Sequence, residues 1–162
     1  AVDKHKASIF AVFGGQGSED YFDEIKEIYN TYEVLIKSYL ERMACVLEEL
    51  ASKPELLQFF PKGLHVLKWL EEPETLPDTK YMINAPISLP LVGLCQLLHY
   101  CVLYKSLGKT PDEMRSSFVG TTGHSQGIIS SVVVSSSGTE EEFIENSIKA
   151  LSLLFWIGVR SQ

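Results

Sequence analysis

The pentapeptide Gly123-His124-Ser125-Gln126-Gly127 restricts the fold of this chain more than any other feature of its sequence. It follows the short segment 117–120 and leads into an apolar run over residues 128–134. A serine between two glycines at such a junction is typical of a sharp turn from a strand into a buried helix, because glycine relieves crowding at a strained bend. We predict that Ser125 is a nucleophile at this turn; a serine that only caps the helix is the alternative interpretation.

A second glycine-rich segment, Gly14-Gly15-Gln16-Gly17, ends the apolar run 8–13. β-Branched and aromatic residues followed by glycines indicate a buried strand that passes into a tight loop. A phosphate cradle is a rival interpretation, but no Lys-Ser/Thr pair follows the loop and the Rossmann spacing is absent. Ordinary turn chemistry stays as the other alternative.

Helical periodicity dominates the segment between the two loops. Apolar residues recur every three or four positions over 23–50, which predicts an amphipathic helix with one break allowed. Residues 52–55 are typical of a helix start with proline in the first turn, and 63–70 predict a short helix. Residues 71–80 contain two prolines and are predicted to form a loop.

The most apolar segment, 87–107, predicts a buried helix closed by Gly108, with Pro90 in its first turn. Thr110 is predicted to cap a single helical turn, and Thr139 a helix that continues to the end of the sequence. Strands separated by long helices predict an α/β fold with a parallel sheet covered on both faces.

Composition excludes several classes of function. The chain has 162 residues, of which 45% are apolar and 22% charged, as expected for one globular domain. A net charge of −7 provides no basic field for a phosphate backbone, so nucleic acid is not an expected partner. The sequence has no apolar N-terminal segment and no run of about 18 apolar residues, so neither export nor a membrane span is predicted.

Three cysteines, Cys45, Cys95 and Cys101, lie in apolar helical patterns. Their odd number favours buried thiols in a reducing compartment over a disulfide framework, and cytoplasm is the expected location. Cys95 and His99 share a helix face, but structural zinc needs four ligands and no second pair has matching spacing. We therefore predict buried helix residues and no metal site.

A serine nucleophile needs a base within hydrogen-bond reach. The four histidines are His5, His65, His99 and His124, and none of them follows Ser125 in the chain. In the chain order of the α/β-hydrolases the base comes after the nucleophile. The sequence therefore lacks an evident general base.

Three segments of the sequence resemble the acyl-carrier-protein acyltransferase family: IFAVFGGQG at 9–17, GHSQG at 123–127 and FWIGVR at 155–160. They are most similar to the acetyltransferase domain at the N-terminal side of the fungal fatty acid synthase β subunit. Residues 67–71 and 86–100 also resemble that domain, so the resemblance covers nearly all of the chain.

The resemblance implies an α/β-hydrolase-like parallel-sheet subdomain into which a smaller ferredoxin-like subdomain is inserted. Residues 1–162 would be the N-terminal part of this acyltransferase domain, ending before the ferredoxin-like subdomain, with the general-base histidine beyond residue 162. By the same resemblance, Ser125 is the nucleophile and the backbone N–H groups of Gln16 and Gln126 form the oxyanion hole. His124 and Ile157 are assigned to the substrate-binding site.

The residue before Gly158 bears on the choice of substrate. Family members that carry malonyl groups have an arginine there, whose guanidinium grips the free carboxylate, whereas this chain has Ile157. Such members also usually have glutamine where Leu89 precedes Pro90. A buried carboxylate that faces isoleucine would lose hydration without a counter-charge, so a neutral acyl group is expected. Ordinary core packing of Ile157 is the alternative.

The resemblance implies transfer of an acetyl or other short neutral acyl group from coenzyme A through an acyl-serine to acyl carrier protein. Acyl-coenzyme A is then the substrate and the phosphopantetheine thiol of the carrier the acceptor, with no cofactor bound by this segment. The expected partners are the carrier and the other domains of a large fatty acid synthase. Alternatives are a hexanoyl-type starter-unit transferase, an esterase or thioesterase, and a mainly structural piece of the synthase.

Overall fold

The computed structural model describes residues 9–17 and 20–162. Ser8, at the start of the first predicted strand, and His5 lie outside the described residues. The described part is mostly helical, with strands β1 (Phe10–Phe13) and β2 (Gly120–Gly123). Its helices are α1 (Tyr21–Ala51), α2 (Val66–Glu71), α3 (Thr79–Met82), α4 (Ala85–Ser106), α5 (Pro111–Arg115), α6 (Gly127–Ser136) and α7 (Glu140–Arg160).

Strands β1 and β2 are parallel and pair in register from Phe10 with Gly120 to Phe13 with Gly123. Parallel neighbours need a long crossover connection, which helices α1 to α5 supply here. Because the two strands end at the same edge, the two glycine-rich segments that follow them leave the sheet side by side. The predicted parallel pairing is thus confirmed, in a small sheet of two strands within a mostly helical structure that is compatible with an α/β fold.

The prediction of a sheet covered on both faces is not met in the described residues. Helix α6 packs on both strands, and Phe13 is buried. On β1, however, the side chains of Phe10 and Val12 are 56% and 70% exposed. One face of the two short strands packs against α6. No described helix covers the side chains on the opposite face.

Helix α4 is the centre of the core, because it packs against both α1 and α7. By length and composition alone α4 could cross a membrane, but 72% of its apolar window is buried within the protein, as in a core helix. Phe143 of α7 stacks on Tyr39 of α1 at a ring distance of 5.3 Å. It also meets Tyr100 and Tyr104 of α4 at 5.5 and 5.7 Å. Aromatic pairs of this kind contribute about 0.5–1.5 kcal/mol each beyond area burial.

Helix α4 begins two residues earlier than predicted, and the proline in its first turn is Pro86 rather than Pro90. Asn84 is the N-cap residue, so Pro90 lies inside the helix, where it removes one backbone donor. The C-terminal end agrees with the prediction. Gly108 follows the helix with a φ of +62°, a conformation that glycine adopts without strain.

The second strand also differs from the prediction, which placed it at 117–120. Ser117 and Phe118 donate backbone hydrogen bonds to Met114 and Arg115, so they belong to the turn that ends α5. Val119 already donates to Ile9 across the sheet, at 2.8 Å, and the ladder runs on from there. The strand therefore leads directly into the pentapeptide.

Most other helix predictions are confirmed, with local corrections. The break allowed in the first helix occurs at Tyr32, whose φ and ψ are −126° and 21°. The proposed helix start at 52–55 is a 3₁₀ turn, Pro54–Leu56. The predicted loop 71–80 contains a second 3₁₀ turn, Pro73–Thr75, and Asp78 already caps α3 there by accepting from Tyr81 N at 3.0 Å. Short proline-led segments do not continue as α-helices in these two places.

The cysteines are free thiols, but only two of them follow the prediction of burial. Cys95 and Cys101 are buried on α4. Cys45 is exposed because it lies on the outer face of α1, where its thiol contacts Glu49.

Capping boxes start both α5 and α7, as Thr110 and Thr139 predicted. In the second box, Glu142 Oε2 accepts from the backbone N–H of Gly138 at 2.8 Å and of Thr139 at 3.1 Å. These two bonds hold the pKa of the Glu142 carboxyl below its ordinary value. Such a box satisfies donors at the helix start that have no intrahelical partner.

Replacing Glu142 by glutamine should therefore have a pH-dependent cost. A carboxyl with a lowered folded-state pKa stabilises the fold above its unfolded pKa, about 4.3, and that contribution is lost as the pH falls through the lower folded value. We expect Glu142→Gln to lower the urea midpoint at pH 7 and to match the unsubstituted protein once the pH is below the folded pKa. The matched control is Glu141→Gln, which lies in the same first turn outside the capping box. An equal effect of both substitutions at pH 7 would contradict this assignment.

Candidate functional site

Ser125 lies at the bend between β2 and α6. Its φ of +54° makes it the only residue other than glycine with positive φ in the part of the chain that the structure describes. A serine in this region of φ/ψ space is strained, and such strain is found at turns that expose a nucleophile between a strand and a helix. The side chain is exposed, so it is accessible from solvent.

The two glycines of the pentapeptide allow α6 to pack directly against the strands. A Cβ at Gly123 would lie 2.2 Å from the carbonyl carbon of Gly127. A Cβ at Gly127 would lie 2.3 Å from the Phe13 carbonyl oxygen and 2.4 Å from that of Gly14. No side chain fits either position without a shift of the backbone, so the glycines fix the distance between α6 and the end of β1.

The pentapeptide and the first glycine-rich loop are in contact. His124 N donates to the Phe13 carbonyl at 2.9 Å, which continues the sheet by one hydrogen bond. A Cβ at Gly15 would lie 3.1 Å from Ser125 Cβ and 3.0 Å from His124 Nδ1. The His124 side chain is exposed and its ring lies against Gly15. The structure thus brings together Ser125, His124 and the loop that carries Gln16, while the roles assigned to these residues stay predictions.

The two backbone N–H groups predicted as oxyanion donors belong to Gln16 and Gln126, the residues that follow Gly15 and Ser125, and Gly15 and Ser125 approach each other closely. Within residues 9–17 and 20–162, the backbone N–H groups of Gln16 and Gln126 donate to no backbone carbonyl oxygen. Gln126 is the N-cap residue of α6, where the positive end of the helix dipole adds to the amide field. Two amides without a backbone acceptor in the described residues, each next in sequence to a residue of this contact, form an arrangement that can stabilise an anion at the serine.

The side chains of the two glutamines have different surroundings. Gln16 Nε2 donates to Ser88 Oγ of α4 at 2.6 Å. The Gln126 side chain is only 7% exposed, and neither polar atom of its amide has a partner in the described residues. The side-chain amide of Gln126 is thus buried without a hydrogen bond in the described residues, whereas the side-chain amide of Gln16 links its loop to α4 by a hydrogen bond.

No histidine ring in the described part of the chain forms a hydrogen bond with Ser125. His65 pairs with Glu48, and His99 Nε2 lies 3.3 Å from Glu24 Oε2. The described residues therefore contain Ser125 and the two backbone amides without a histidine ring hydrogen-bonded to the serine. That the base lies elsewhere stays a prediction.

A cluster of possible metal ligands lies beside the first glycine-rich loop. Glu24 Oε2 lies 3.5 Å from Cys95 Sγ and 3.3 Å from His99 Nε2, and one ligand atom from each residue falls within 4.8 Å of the others. Sequence spacing did not reveal Glu24, which comes from α1. Burial and the Glu24 charge raise the pKa of the Cys95 thiol, which therefore donates to the carboxylate. Hydrogen bonds among the three groups account for their positions, and His99 is exposed rather than buried as predicted.

An apolar groove runs between α6 and α7 and begins one turn beyond Ser125. It has a volume of about 340 Å³ and is lined mainly by aliphatic side chains, among them Ile128, Ile129, Val132, Val133 and Leu153. Ile157 lies one turn after Leu153 on α7 and is 43% exposed, so it is not a fully buried core residue. Arg160, at the end of α7, is exposed.

Sequence reasoning missed three polar residues that organise the site: Ser88, Gln96 and Ser130. Gln96 Nε2 donates to the Gly14 carbonyl at 2.6 Å, and Gln96 Oε1 accepts from Ser130 Oγ at 2.6 Å. Each of the three is a polar residue within an otherwise apolar helix segment. A polar residue in an apolar helix segment could have indicated these contacts from the sequence, because a buried polar group needs a hydrogen-bond partner.

Comparison with known proteins gives matches over nearly the whole chain. Residues 11–162 match the family described as starter unit:ACP transacylase in aflatoxin biosynthesis. The chain is 43% identical over 162 residues to the fatty acid synthase subunit beta of Saccharomyces cerevisiae, covering 99% of this chain and 8% of that protein. It is 43% identical over 161 residues to the fatty acid synthase subunit beta of Schizosaccharomyces pombe, with coverage of 99% and 8%. It is 42% identical over 157 residues to the fatty acid synthase beta subunit aflB of Emericella nidulans, with coverage of 97% and 7%. The chain thus spans about 8% of the length of these relatives.

The close approach at Gly127 can be tested directly. We expect Gly127→Ala to destabilise the domain by about 1–3 kcal/mol, because the new methyl group meets backbone oxygens of Phe13 and Gly14 and forces α6 away from β1. The urea midpoint measures this loss. Gly17→Ala is the matched control, since a Cβ there would have no atom of the described residues within 4 Å. Equal midpoints for the two variants would show that α6 does not depend on this contact.

Proposed function

Because this chain belongs to the starter unit:ACP transacylase family, we propose that it carries the nucleophile of a transacylase domain in a fatty acid synthase. The reaction we propose moves a short neutral acyl group from coenzyme A to an acyl carrier protein. The observation that carries the proposal is the exposed, strained Ser125 in close contact with Gly15, where the amides of the following residues, Gln16 and Gln126, have no backbone acceptor in the described part of the chain.

The proposed mechanism has two half-reactions. In the first, Ser125 Oγ attacks the thioester carbon, the carbonyl oxygen becomes an oxyanion, and the C–S bond breaks to give an acyl-serine and the coenzyme A thiol. In the second, the phosphopantetheine thiol of the carrier attacks the ester and restores the serine hydroxyl. In the first half-reaction a general base takes the hydroxyl proton and passes it to the departing coenzyme A sulfur; in the second it takes the proton of the phosphopantetheine thiol and gives it to Ser125 Oγ. We propose a histidine beyond residue 162 for this role.

The backbone amides supply the electrostatic part of this mechanism. Gln16 N–H and Gln126 N–H would donate to the oxyanion, and each such donor is worth on the order of 10²–10³ in rate. Their orientation is set before the reaction, since one lies at the start of α6 and the other in a loop that side chains of α4 hold. His124, which is exposed against Gly15, is the residue we propose to contact the thioester side of the substrate.

A neutral acyl group suits the apolar surface next to Ser125. The groove between α6 and α7 has mainly aliphatic walls, and Ile157 offers no charge to a carboxylate. A malonyl carboxylate placed there would lose its hydration without a partner, at a cost of several kcal/mol. Apolar walls that exclude water would also slow hydrolysis of the acyl-serine and favour transfer over a thioesterase reaction. The described residues leave these walls partly open, with Ile128 55% exposed, so this shielding requires a further covering element.

A longer starter unit is the second candidate. The groove of about 340 Å³ provides more apolar space than an acetyl group needs. The family description also refers to starter units. Rates with acyl-coenzyme A substrates of increasing chain length would separate an acetyl transferase from a hexanoyl-type transferase.

We further propose that β1 and β2 belong to a larger α/β-hydrolase-like sheet. Parallel pairing, with the nucleophile at the carboxyl end of a strand and a helix directly after it, supports this topology. The exposed Phe10 and Val12 of β1 are the side chains that a helix packed on the second face of such a sheet would cover. Carrier protein and the remaining synthase domains are the proposed partners, and cytoplasm is the proposed location, which the free cysteines support.

Acylation of Ser125 is the first test. In the intact protein, brief incubation with radiolabelled acetyl-coenzyme A should give a stable ester that Ser125→Ala abolishes, because no other hydroxyl occupies the bend. Ser38→Ala, at an exposed position on α1, is the control and should retain full labelling. Undiminished labelling of this segment in Ser125→Ala would refute the proposed nucleophile.

Substrate charge is the second test. Ile157→Arg should raise the malonyl-to-acetyl ratio of kcat/KM by roughly 10-fold or more, because a guanidinium can pair with the free carboxylate through two hydrogen bonds. Ile157→Met keeps the site neutral and should preserve the preference for acetyl. The ratio is obtained from parallel acylation rates with the two coenzyme A thioesters. If Ile157→Arg left it unchanged, Ile157 would not face the acyl group.

A further inference from the structure

Gln96 is a polar residue in the middle of the apolar helix α4, and its side-chain amide connects two parts of the site. Nε2 donates to the carbonyl oxygen of Gly14 in the first glycine-rich loop, at 2.6 Å. Oε1 accepts from the Ser130 hydroxyl in the first half of α6, also at 2.6 Å. One side chain therefore bonds both to the loop before Gln16 and to the helix after Ser125.

The chemistry of the two partners fixes the orientation of this amide. A backbone carbonyl oxygen can only accept, so the NH₂ group must face Gly14. The carbonyl oxygen of the side chain then faces Ser130, whose hydroxyl rotates to donate. The alternative orientation would place two oxygens in contact at Gly14, so the network is satisfied in one way only.

The bonded carbonyl has a direct bearing on the Gln16 amide. Gly14 and Gly15 are adjacent glycines, and without side chains the backbone of this loop has wide conformational freedom. Each peptide unit is planar, so a hydrogen bond to the Gly14 oxygen orients the whole Gly14–Gly15 peptide plane. The next peptide plane along the chain carries the Gln16 N–H.

Helix α4 holds the loop on both sides of that N–H. Gln96 binds the Gly14 carbonyl before it, and Ser88 binds the Gln16 side chain after it. Ser88 is itself buried, with 2% exposure. Both hydrogen bonds come from the same helix. Between them, only the peptide planes next to Gly15 and Gln16 can still rotate.

We propose that Gln96 is a positioning residue for the oxyanion hole. It orients the glycine-rich loop so that the Gln16 N–H faces Ser125, and through Ser130 it keeps that loop in register with α6, which carries Gln126. This assignment rests on the proposed function. Gln96 acts through Gly14 and Ser130, so its removal should slow acylation of Ser125 without weakening the binding of acyl-coenzyme A.

The test measures acylation of Ser125 in the intact protein by single-turnover labelling with radiolabelled acetyl-coenzyme A. Gln96→Met keeps the length of the side chain and removes both hydrogen bonds. We expect the acylation rate at saturation to fall by about 10²-fold, the size of effect that a small misplacement of a catalytic group produces. The concentration for half-maximal rate should stay within about twofold. Gln58→Met, at an exposed glutamine in the turn after α1, is the matched control and should keep the full rate.

Gln96→Glu provides a readout that loss of packing alone would not produce. As a carboxylate it cannot donate to the Gly14 oxygen and repels it, whereas a protonated carboxyl can donate there and still accept from Ser130. The rate relative to the unsubstituted protein should therefore be low at pH 8 and should rise as the pH falls toward the pKa of the new carboxyl. The same ratio for Gln58→Glu should be flat with pH.

The outcomes separate the two proposals. If the unsubstituted protein forms no ester at Ser125, the proposed function fails. If it forms the ester and Gln96→Met acylates at the full rate, the role of Gln96 is refuted while the function stands. Should Gln96→Met fail to fold, as judged by its urea transition, the pH profile of Gln96→Glu decides. A flat profile overturns the inference, and recovery at acid pH supports it.

Discussion

The contact between Gly127 and the carbonyl oxygens that end β1 determines the position of the rest of the site. Because no Cβ separates them, the first turn of α6 lies against Phe13 and Gly14. Helix α6 then begins at the edge of the sheet from which the first glycine-rich loop also leaves. Ser125 is forced into positive φ by the same geometry, since the chain must reverse between β2 and a helix that is already in contact with β1.

The apolar helix α4 has a second role beside filling the core. Its burial against α1 and α7 makes it the most constrained element of the fold, and the hydrogen bonds of Gln96 and Ser88 transfer that rigidity to a loop of glycines. A loop without side chains can approach Ser125 closely, but it has high conformational entropy when free. Polar groups on a buried helix reduce that freedom without occupying the space beside the serine.

Local sequence patterns made the sharp turn at Ser125 and most helices predictable, whereas long-range contacts could not be predicted from them. Ser125 and the capping boxes at Thr110 and Thr139 are encoded in a few adjacent residues, and the structure has them where the sequence placed the turns. Gln96 and Gly14 are 82 positions apart, and no periodicity relates them. Pro90 was misplaced because Pro86, four residues earlier, also satisfies the rule for a first-turn proline.

Within the proposed function, the described residues hold the nucleophile but do not enclose it. Ser125 is exposed, and apolar side chains of β1 and α6 are also open to solvent, with Val12 at 70% and Ile128 at 55%. Amides stabilise an oxyanion most strongly where water is excluded, and an acyl-serine survives for transfer only under the same condition. The open apolar surface of β1 and α6 therefore follows from the chemistry: whatever brings the general base to Ser125 must also cover these side chains, so that proton transfer and exclusion of water occur in one closed arrangement.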